Sequence, residues 1–113
     1  MLGVTRWKAI YRSANLDHMS LESLEHLLRV RNIRAVIDLR SAEEVLPHSP
    51  VLKSSVLYRL PMLGDGRLGK EVFPAGDPVR LAELYVENVE RGRLACVEAL
   101  RVVASVLALG GSV

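Results

Sequence analysis

The apolar residues of the first sixty positions form one helical segment and two strand-like runs. Ser20 has the position of a helix N-cap, and the leucines after it recur at helical spacing until Asn32, which readily adopts a left-handed conformation. Residues 34–39 are apolar on both faces of the pleat, as in a strand that helices cover on both sides of a parallel sheet. Residues 54–62 predict a further strand that ends at Pro61.

Two shorter elements complete this half of the chain. Residues 7–11 are short and apolar with Lys8 exposed, which predicts a first strand. Ser41 and Glu44 have the spacing of a capping box, so we expect a short helix that begins at Ser41 and stops before Pro47.

The second half begins with a loop and continues with helical patterns. The Gly- and Pro-rich stretch between prolines 61 and 78 predicts a lid or a flexible insertion. Asp77 and Pro78 then supply an N-cap and a first-turn proline. Gly92 is expected to kink or divide the helical region, which ends at the glycine pair 110–111. One apolar stripe is expected in each helical stretch. The first consists of Leu81, Leu84, Tyr85 and Val89, and the second of Cys96, Leu100, Val103 and Leu107.

The order of these elements predicts an α/β layered domain with a parallel sheet and right-handed crossovers. Sites in such sheets form beyond the carboxyl ends of the strands, where helix N-termini face anions, and Asp38 and Arg40 lie at such an end. The simpler interpretation, which we favour from sequence alone, is that Asp38 accepts backbone hydrogen bonds and Arg40 pairs with Glu43 or Glu44 to hold the turn.

Composition and charge exclude several classes of protein. The chain has 113 residues, enough for one core, and its net charge of +2 arises from interleaved signs, which argues against a nucleic-acid partner. A single cysteine, Cys96, excludes an internal disulfide and a multi-thiolate metal site, so a cytoplasmic location is expected. Basic residues interrupt the first segment before any signal-type apolar region, and no run approaches the length of a membrane span.

Four segments in order carry a resemblance to a known family. They are YRSANL (11–16), IRAVIDLRSAEEV (33–45), LYRLPM (57–62) and ELYVENV (83–89). Together they resemble the bacterial tyrosine-phosphatase-like family, which includes dual-specificity and phosphoinositide-acting enzymes. The resemblance implies a layered parallel-sheet cysteine-phosphatase-like fold, phosphorylated proteins or phosphoinositides as partners of the full-length family, and no cofactor.

The same resemblance implies a catalytic loop that these residues do not contain. In the family, a strand that would begin at Ser112 and Val113 leads into a His-Cys pair and a Gly-Lys-Asp-Arg-Thr-Gly loop. We therefore expect residues 1–113 to be the N-terminal part of one incomplete domain. The chain as given is expected to be inactive and to contain no catalytic residue. Whether the protein is an enzyme stays open. Asp38, Arg40 and Arg12 are expected at the periphery of the substrate site.

Cys96 is a poor substitute for the family's nucleophile. Phosphoryl transfer to cysteine requires a thiolate at a helix N-terminus and an arginine six positions later. Arg101 lies five positions after Cys96, no glycine curls the backbone there, and the helical stripe is expected to bury the sulfur. We interpret Cys96 as a core residue.

Three further interpretations follow from weaker patterns. Residues 64–71, GDGRLGKE, partly fit dinucleotide and P-loop patterns, but no helix pattern follows and Glu71 replaces the metal-binding hydroxyl, so we expect a flexible loop. The three histidines lack zinc-binding spacing, so no metal site is expected, and we expect them to be solvated. Arg12 and Asp17 follow the first predicted strand and are expected to pair and stabilise a turn.

Two alternatives to an enzyme of this family stay open. One is a non-catalytic interaction module on the same scaffold, which docks a protein partner or a second copy through an exposed sheet edge. The other is a rhodanese-like domain, because VIDLRSAEEV followed by HSP and LYRLPM echoes that family as well.

Overall fold

The computed structural model describes residues 3–62 and 77–113. In this part of the chain the structure contains two strands, three α-helices and two 3₁₀ helices. They are α1 (Leu21–Val30), β1 (Val36–Asp38), the 3₁₀ helices Ala42–Glu44 and Pro50–Lys53, β2 (Leu57–Arg59), α2 (Pro78–Arg91) and α3 (Arg93–Ala108). The prediction of an α/β domain with a parallel sheet is confirmed, since β1 and β2 pair in parallel with Val36 opposite Leu57.

The prediction of a strand over residues 7–11 is wrong. The chain turns there, and Lys8 adopts a φ of 57°, in the left-handed region that extended strands exclude. The backbone of this segment nevertheless pairs with the last residues of the chain. Tyr11 N donates to Val113 O at 2.7 Å, and Val113 N donates to Ala9 O at 2.9 Å. Ser112 in turn forms a parallel bridge with Ile33, so residues 112 and 113 connect the first segment to the residues that precede β1.

The predicted helix starts and stops are confirmed in detail. Ser20 Oγ accepts a hydrogen bond from Ser23 N at 3.1 Å and so caps α1, and Asn32 adopts a φ of 52° just after that helix. Asp77 Oδ1 caps α2 by accepting bonds from the backbone N–H groups of residues 79 and 80. Gly110 follows α3 with a φ of 81°, a conformation that glycine adopts without steric cost.

Gly92 divides the two C-terminal helices, as predicted. Its N–H donates to Asn88 O and its carbonyl accepts from Cys96 N, so the hydrogen-bonded ladder of α2 passes directly into that of α3. A Cβ at this position would lie 2.6 Å from the carbonyl oxygen of Met62. Glycine is therefore needed here because another segment of backbone approaches closely, not because of an unusual φ.

The buried apolar core is small and lies between α1, β1 and the segment that follows β1. Leu24 is 1% exposed and is the largest apolar side chain at its centre. The apolar stripes of the last two helices are less covered than their sequence predicts. In α2 only Leu84 is buried, and α3 has no buried residue. Its stripe is half-buried at Cys96 and largely exposed at Leu100.

The stretch between prolines 61 and 78, which is predicted to be a lid or a flexible insertion, lies almost entirely outside the described residues. This includes the glycine-rich residues 64–71. Among the helices that are described, none is both long and apolar enough to cross a bilayer.

Candidate functional site

Asp38 and Arg40 lie at the carboxyl end of β1, where sequence analysis places the candidate site. Backbone bonds extend the pairing of the two strands past this point, because Leu60 N donates to Asp38 O and Met62 N to Leu39 O. The turn that follows begins with Ser41, whose N–H donates to Glu44 Oε2 at 2.7 Å in the predicted capping arrangement. The strand end and the turn therefore hold Asp38 and Arg40 in fixed positions.

Arg40 joins two carboxylates from separate parts of the chain. Its Nε and one terminal nitrogen donate to the two oxygens of Asp38 at 2.9 and 2.8 Å. Both terminal nitrogens donate to the two oxygens of Asp17, at 2.9 and 3.1 Å. Paired bonds of this kind match the planar guanidinium to each carboxylate. We refer to Asp17, Arg40 and Asp38 as the ion cluster.

Both carboxylates of the ion cluster are buried, and both are held in the ionised form. The Asp17 side chain is fully buried and that of Asp38 is 6% exposed. Hydrogen bonds from the Arg40 guanidinium lower the pKa of Asp17 well below its ordinary value. Burial alone would raise the pKa of Asp38, but the side-chain and backbone hydrogen bonds from Arg40 outweigh it and the net direction is down. The same bonds raise the pKa of Arg40 above its ordinary value.

Two pairings predicted from the sequence are wrong. Arg40 does not pair with Glu43 or Glu44, because its guanidinium turns toward the two aspartates and Glu44 bonds to the Ser41 backbone instead. Arg12 does not pair with Asp17, whose two oxygens are occupied by Arg40 and by Leu46 N, which donates at 3.3 Å. The prediction that Asp38 accepts a backbone bond is confirmed, since Arg40 N donates to it at 3.1 Å.

The charge and hydrogen bonding of the ion cluster limit the chemistry that it can perform. Two carboxylates and one guanidinium carry a net charge of −1, and four of the five N–H donors of Arg40 are directed at the aspartates. One N–H donor of Arg40 is left over, so a phosphate group would have to displace a carboxylate to form paired bonds with the guanidinium. The arrangement is suited to fixing the loop before α1 against the turn after β1, because Asp17 also binds Leu46 N in that turn.

Arg12 is separate from the ion cluster. It is exposed, and within residues 3–62 and 77–113 its side chain forms no hydrogen bond or ion pair. It directly follows Tyr11, whose N–H bonds to Val113. Of the three residues predicted at the site periphery, the structure brings two together and leaves the third on the surface.

Cys96 lies within the helical ladder of α3. Its backbone N–H donates to Gly92 O at 2.9 Å, so this amide is not available to an anion. The thiol is free and half-buried rather than fully buried as the stripe predicts. Arg101 is engaged with Glu98 one turn earlier in the same helix. The environment of Cys96 therefore provides no anion-binding loop.

The histidines are exposed, as predicted, and within the described ranges no group of three His, Cys, Asp or Glu side chains is arranged to hold a metal ion. His26 lies on the surface of α1, with Nδ1 3.3 Å from a terminal nitrogen of Arg29.

The link between Asp17 and Arg40 was missed because it spans 23 residues of sequence. Two features of the sequence could have indicated this link. One is an aspartate in the polar loop before α1, and the other is an arginine at a strand end, which requires a counter-charge when it is partly buried. No sequence pattern points to the buried Ser49, whose hydroxyl helps to lower the pKa of Asp17.

Comparison with known protein families gives a match over most of the chain. The sequence profile described as the tyrosine phosphatase family matches residues 2–109, which is almost the whole chain. No curated protein and no solved structure gives a match.

Proposed function

Because the chain belongs to the tyrosine phosphatase family, we propose that its 113 residues form the N-terminal scaffold of a single phosphomonoester-hydrolase domain and that the chain alone does not hydrolyse phosphate esters. Cysteine-dependent phosphatases attack phosphorus with a thiolate that a positive environment and a helix N-terminus keep ionised. The only cysteine of the sequence, Cys96, has its N–H in the ladder of α3, and the arginine five positions later, Arg101, pairs with Glu98. This observation carries the proposal.

The substrate of the complete domain is a phosphorylated protein, with phosphotyrosine or phosphoserine as the reacting group, or a phosphoinositide. This part of the proposal rests on the family. The ion cluster supports a positioning role for Asp38 and Arg40 beside that site, since their donors and acceptors already satisfy one another. Arg12 is the better candidate to face an anion, because it is exposed and not engaged within the described ranges.

The test is a phosphatase assay with a generic aryl phosphate, which requires few specificity contacts. The purified chain is expected to release phenolate no faster than buffer, and Cys96→Ser should behave identically. Circular dichroism on the same samples establishes that both proteins are folded. Turnover that is lost in Cys96→Ser would overturn the proposal, because it would identify Cys96 as the nucleophile.

A second candidate function is a non-catalytic interaction module, and the exposed apolar surface of the last two helices favours it. Val86 on α2 and Leu94 and Leu100 on α3 are each more than half exposed. Exposed apolar surface is typical of association sites. Sedimentation at micromolar concentration discriminates, since a module that binds a second copy should form a dimer, whereas a clean monomer counts against homo-oligomerisation.

A further inference from the structure

The N-terminal segment exposes apolar side chains that a folded domain ordinarily covers. Trp7 is 86% exposed, and Val4 and Ile10 are also largely exposed. Leu109, in the turn after α3, is 89% exposed. Large aromatic side chains are seldom this accessible in a soluble monomer, and an exposed group of them marks a binding surface.

Hydrogen bonds attach the two chain segments that carry these residues. Arg6 donates through a terminal nitrogen to Gly111 O at 3.0 Å, and Ser112 Oγ donates to Lys8 O at 2.9 Å. Val113 N donates to Ala9 O at 2.9 Å. The segment that carries Trp7 and Ile10 is therefore attached to the segment that carries Leu109. We call these two segments, residues 4–12 and 107–111, the N-terminal patch.

The charged side chains of the N-terminal patch are all basic. Arg6, Lys8 and Arg12 lie among its apolar residues, and neither residues 3–16 nor residues 102–113 contain an aspartate or a glutamate. The whole chain has 15 basic and 13 acidic residues, so this separation does not follow from its overall composition. The left-handed turn at Lys8 exposes this cation between Trp7 and Ile10.

We propose that the N-terminal patch binds the surface of an anionic lipid bilayer, with Trp7, Ile10 and Leu109 entering the headgroup region and the three cations contacting acidic headgroups. Tryptophan prefers the membrane–water interface because its ring is apolar and its N–H needs a polar partner. Each cation close to an acidic membrane strengthens binding about five-fold. The described helices contain no membrane-spanning segment, so the protein would lie on the bilayer.

Charge distinguishes a bilayer from a second copy of the chain as the partner. A symmetric dimer through this patch would bring the three cations of one copy against the same three of the other, which is unfavourable. An acidic lipid surface instead complements every charge of the patch. The patch shares Arg12 with the proposed function, whereas Trp7, Ile10 and Leu109 do not enter that proposal, so the apolar variants test membrane binding separately from it.

Trp7 provides a direct probe because it is the only tryptophan of the chain. Its emission is measured with vesicles of phosphatidylcholine alone and of phosphatidylcholine mixed with phosphatidylserine, together with vesicle co-sedimentation. We expect a blue shift and co-sedimentation with the acidic vesicles only, weakened by added salt. Reversing two charges in Lys8→Glu/Arg12→Glu should weaken binding at least 25-fold if each cation contributes about five-fold.

Matched apolar variants test the insertion itself. Leu109→Ser should weaken binding and reduce the blue shift, whereas Leu94→Ser, which removes a leucine of comparable exposure on α3, should leave both unchanged. Equal effects of the two variants would overturn the proposal. Four other results would also overturn the proposal. They are the absence of an emission shift, equal binding to neutral vesicles, an equal shift with soluble inorganic polyphosphate, and a blue-shifted emission without lipid in a protein that sediments as a dimer.

Discussion

Replacement of Arg40 by methionine is the sharpest perturbation of the scaffold. Methionine keeps much of the side-chain volume but removes all four hydrogen bonds to Asp17 and Asp38. Two carboxylates would then remain in a buried environment without a counter-charge. We expect the folded state to lose stability while the order of its secondary structure is retained.

The structure sets the size of the expected loss. Removing one partner of a buried ion pair destabilises a protein by about 3–5 kcal/mol, because the other charge remains buried. The Arg40 side chain is 25% exposed, so water can enter and the lower end of that range applies. For a domain of this size, about 3 kcal/mol corresponds to a decrease in Tm of roughly 12 °C.

Urea denaturation followed by far-ultraviolet circular dichroism measures this loss. Tryptophan fluorescence is unsuitable as the probe because Trp7 is exposed in the folded chain. Arg80→Met is the matched control, since Arg80 also bridges two carboxylates, those of Glu83 and Glu87, but on an exposed helix surface. Exposed pairs of this kind contribute about 1 kcal/mol or less.

The two variants must differ for the reasoning to stand. If Arg40→Met unfolds at the same urea concentration as Arg80→Met, the ion cluster does not hold the loop before α1 against the turn after β1. Arg40→Lys should lie between Arg40→Met and the unaltered chain, because a single ammonium cannot form paired bonds with two carboxylates.

Three further predictions concern the same fold. The free energy of unfolding should fall as the pH drops below about 4, because the two carboxylates of the ion cluster have lowered pKa values in the folded state and are stabilising only while ionised. Urea titrations at several pH values should show this decrease, and a flat profile would contradict it. Gly92→Ala should lower the Tm because its Cβ meets Met62 O at 2.6 Å, whereas Gly3→Ala, with open space around it, should leave the Tm unchanged. Leu24→Ala should destabilise by about 2–5 kcal/mol in urea, and a loss below about 1 kcal/mol would show that this core is not packed as described.

Local signals in the sequence predict the helices well because the causes of helix ends are local. Ser20 and Asp77 cap their helices through backbone groups two or three residues away. Asn32 and Gly110 end α1 and α3 by adopting a positive φ that few other residues tolerate. Each of these features depends on a few neighbouring residues, so a reader of the sequence can find it.

Features that depend on distant partners were predicted less well. The apolar run at residues 7–11 has the composition of a strand, but Lys8 turns the chain and only two backbone bonds to Val113 remain. The partner of Arg40 was assigned to a nearby glutamate, because sequence distance favours Glu43 and Glu44 over Asp17. The apolar stripe of α3 predicted burial that the structure does not show, because periodicity reveals which face is apolar and not what covers it.

The family could be predicted from local segments of the sequence, whereas the candidate site could be predicted only in part. The four segments that resemble the tyrosine phosphatase family are matched by a profile over residues 2–109. The sequence also identified Asp38 and Arg40 as neighbours at a strand end. It could not reveal that Asp17 completes their hydrogen bonding, which is what favours a positioning role over a direct contact with phosphate.

We propose that this scaffold lacks a thiolate able to accept a phosphoryl group. The most direct measurement is intact-protein mass spectrometry after rapid acid quenching of the chain with an excess of aryl phosphate. The account predicts an unmodified mass at every time point. A mass increase of one phosphoryl group, located at Cys96 by peptide mapping and absent from Cys96→Ser, would contradict it.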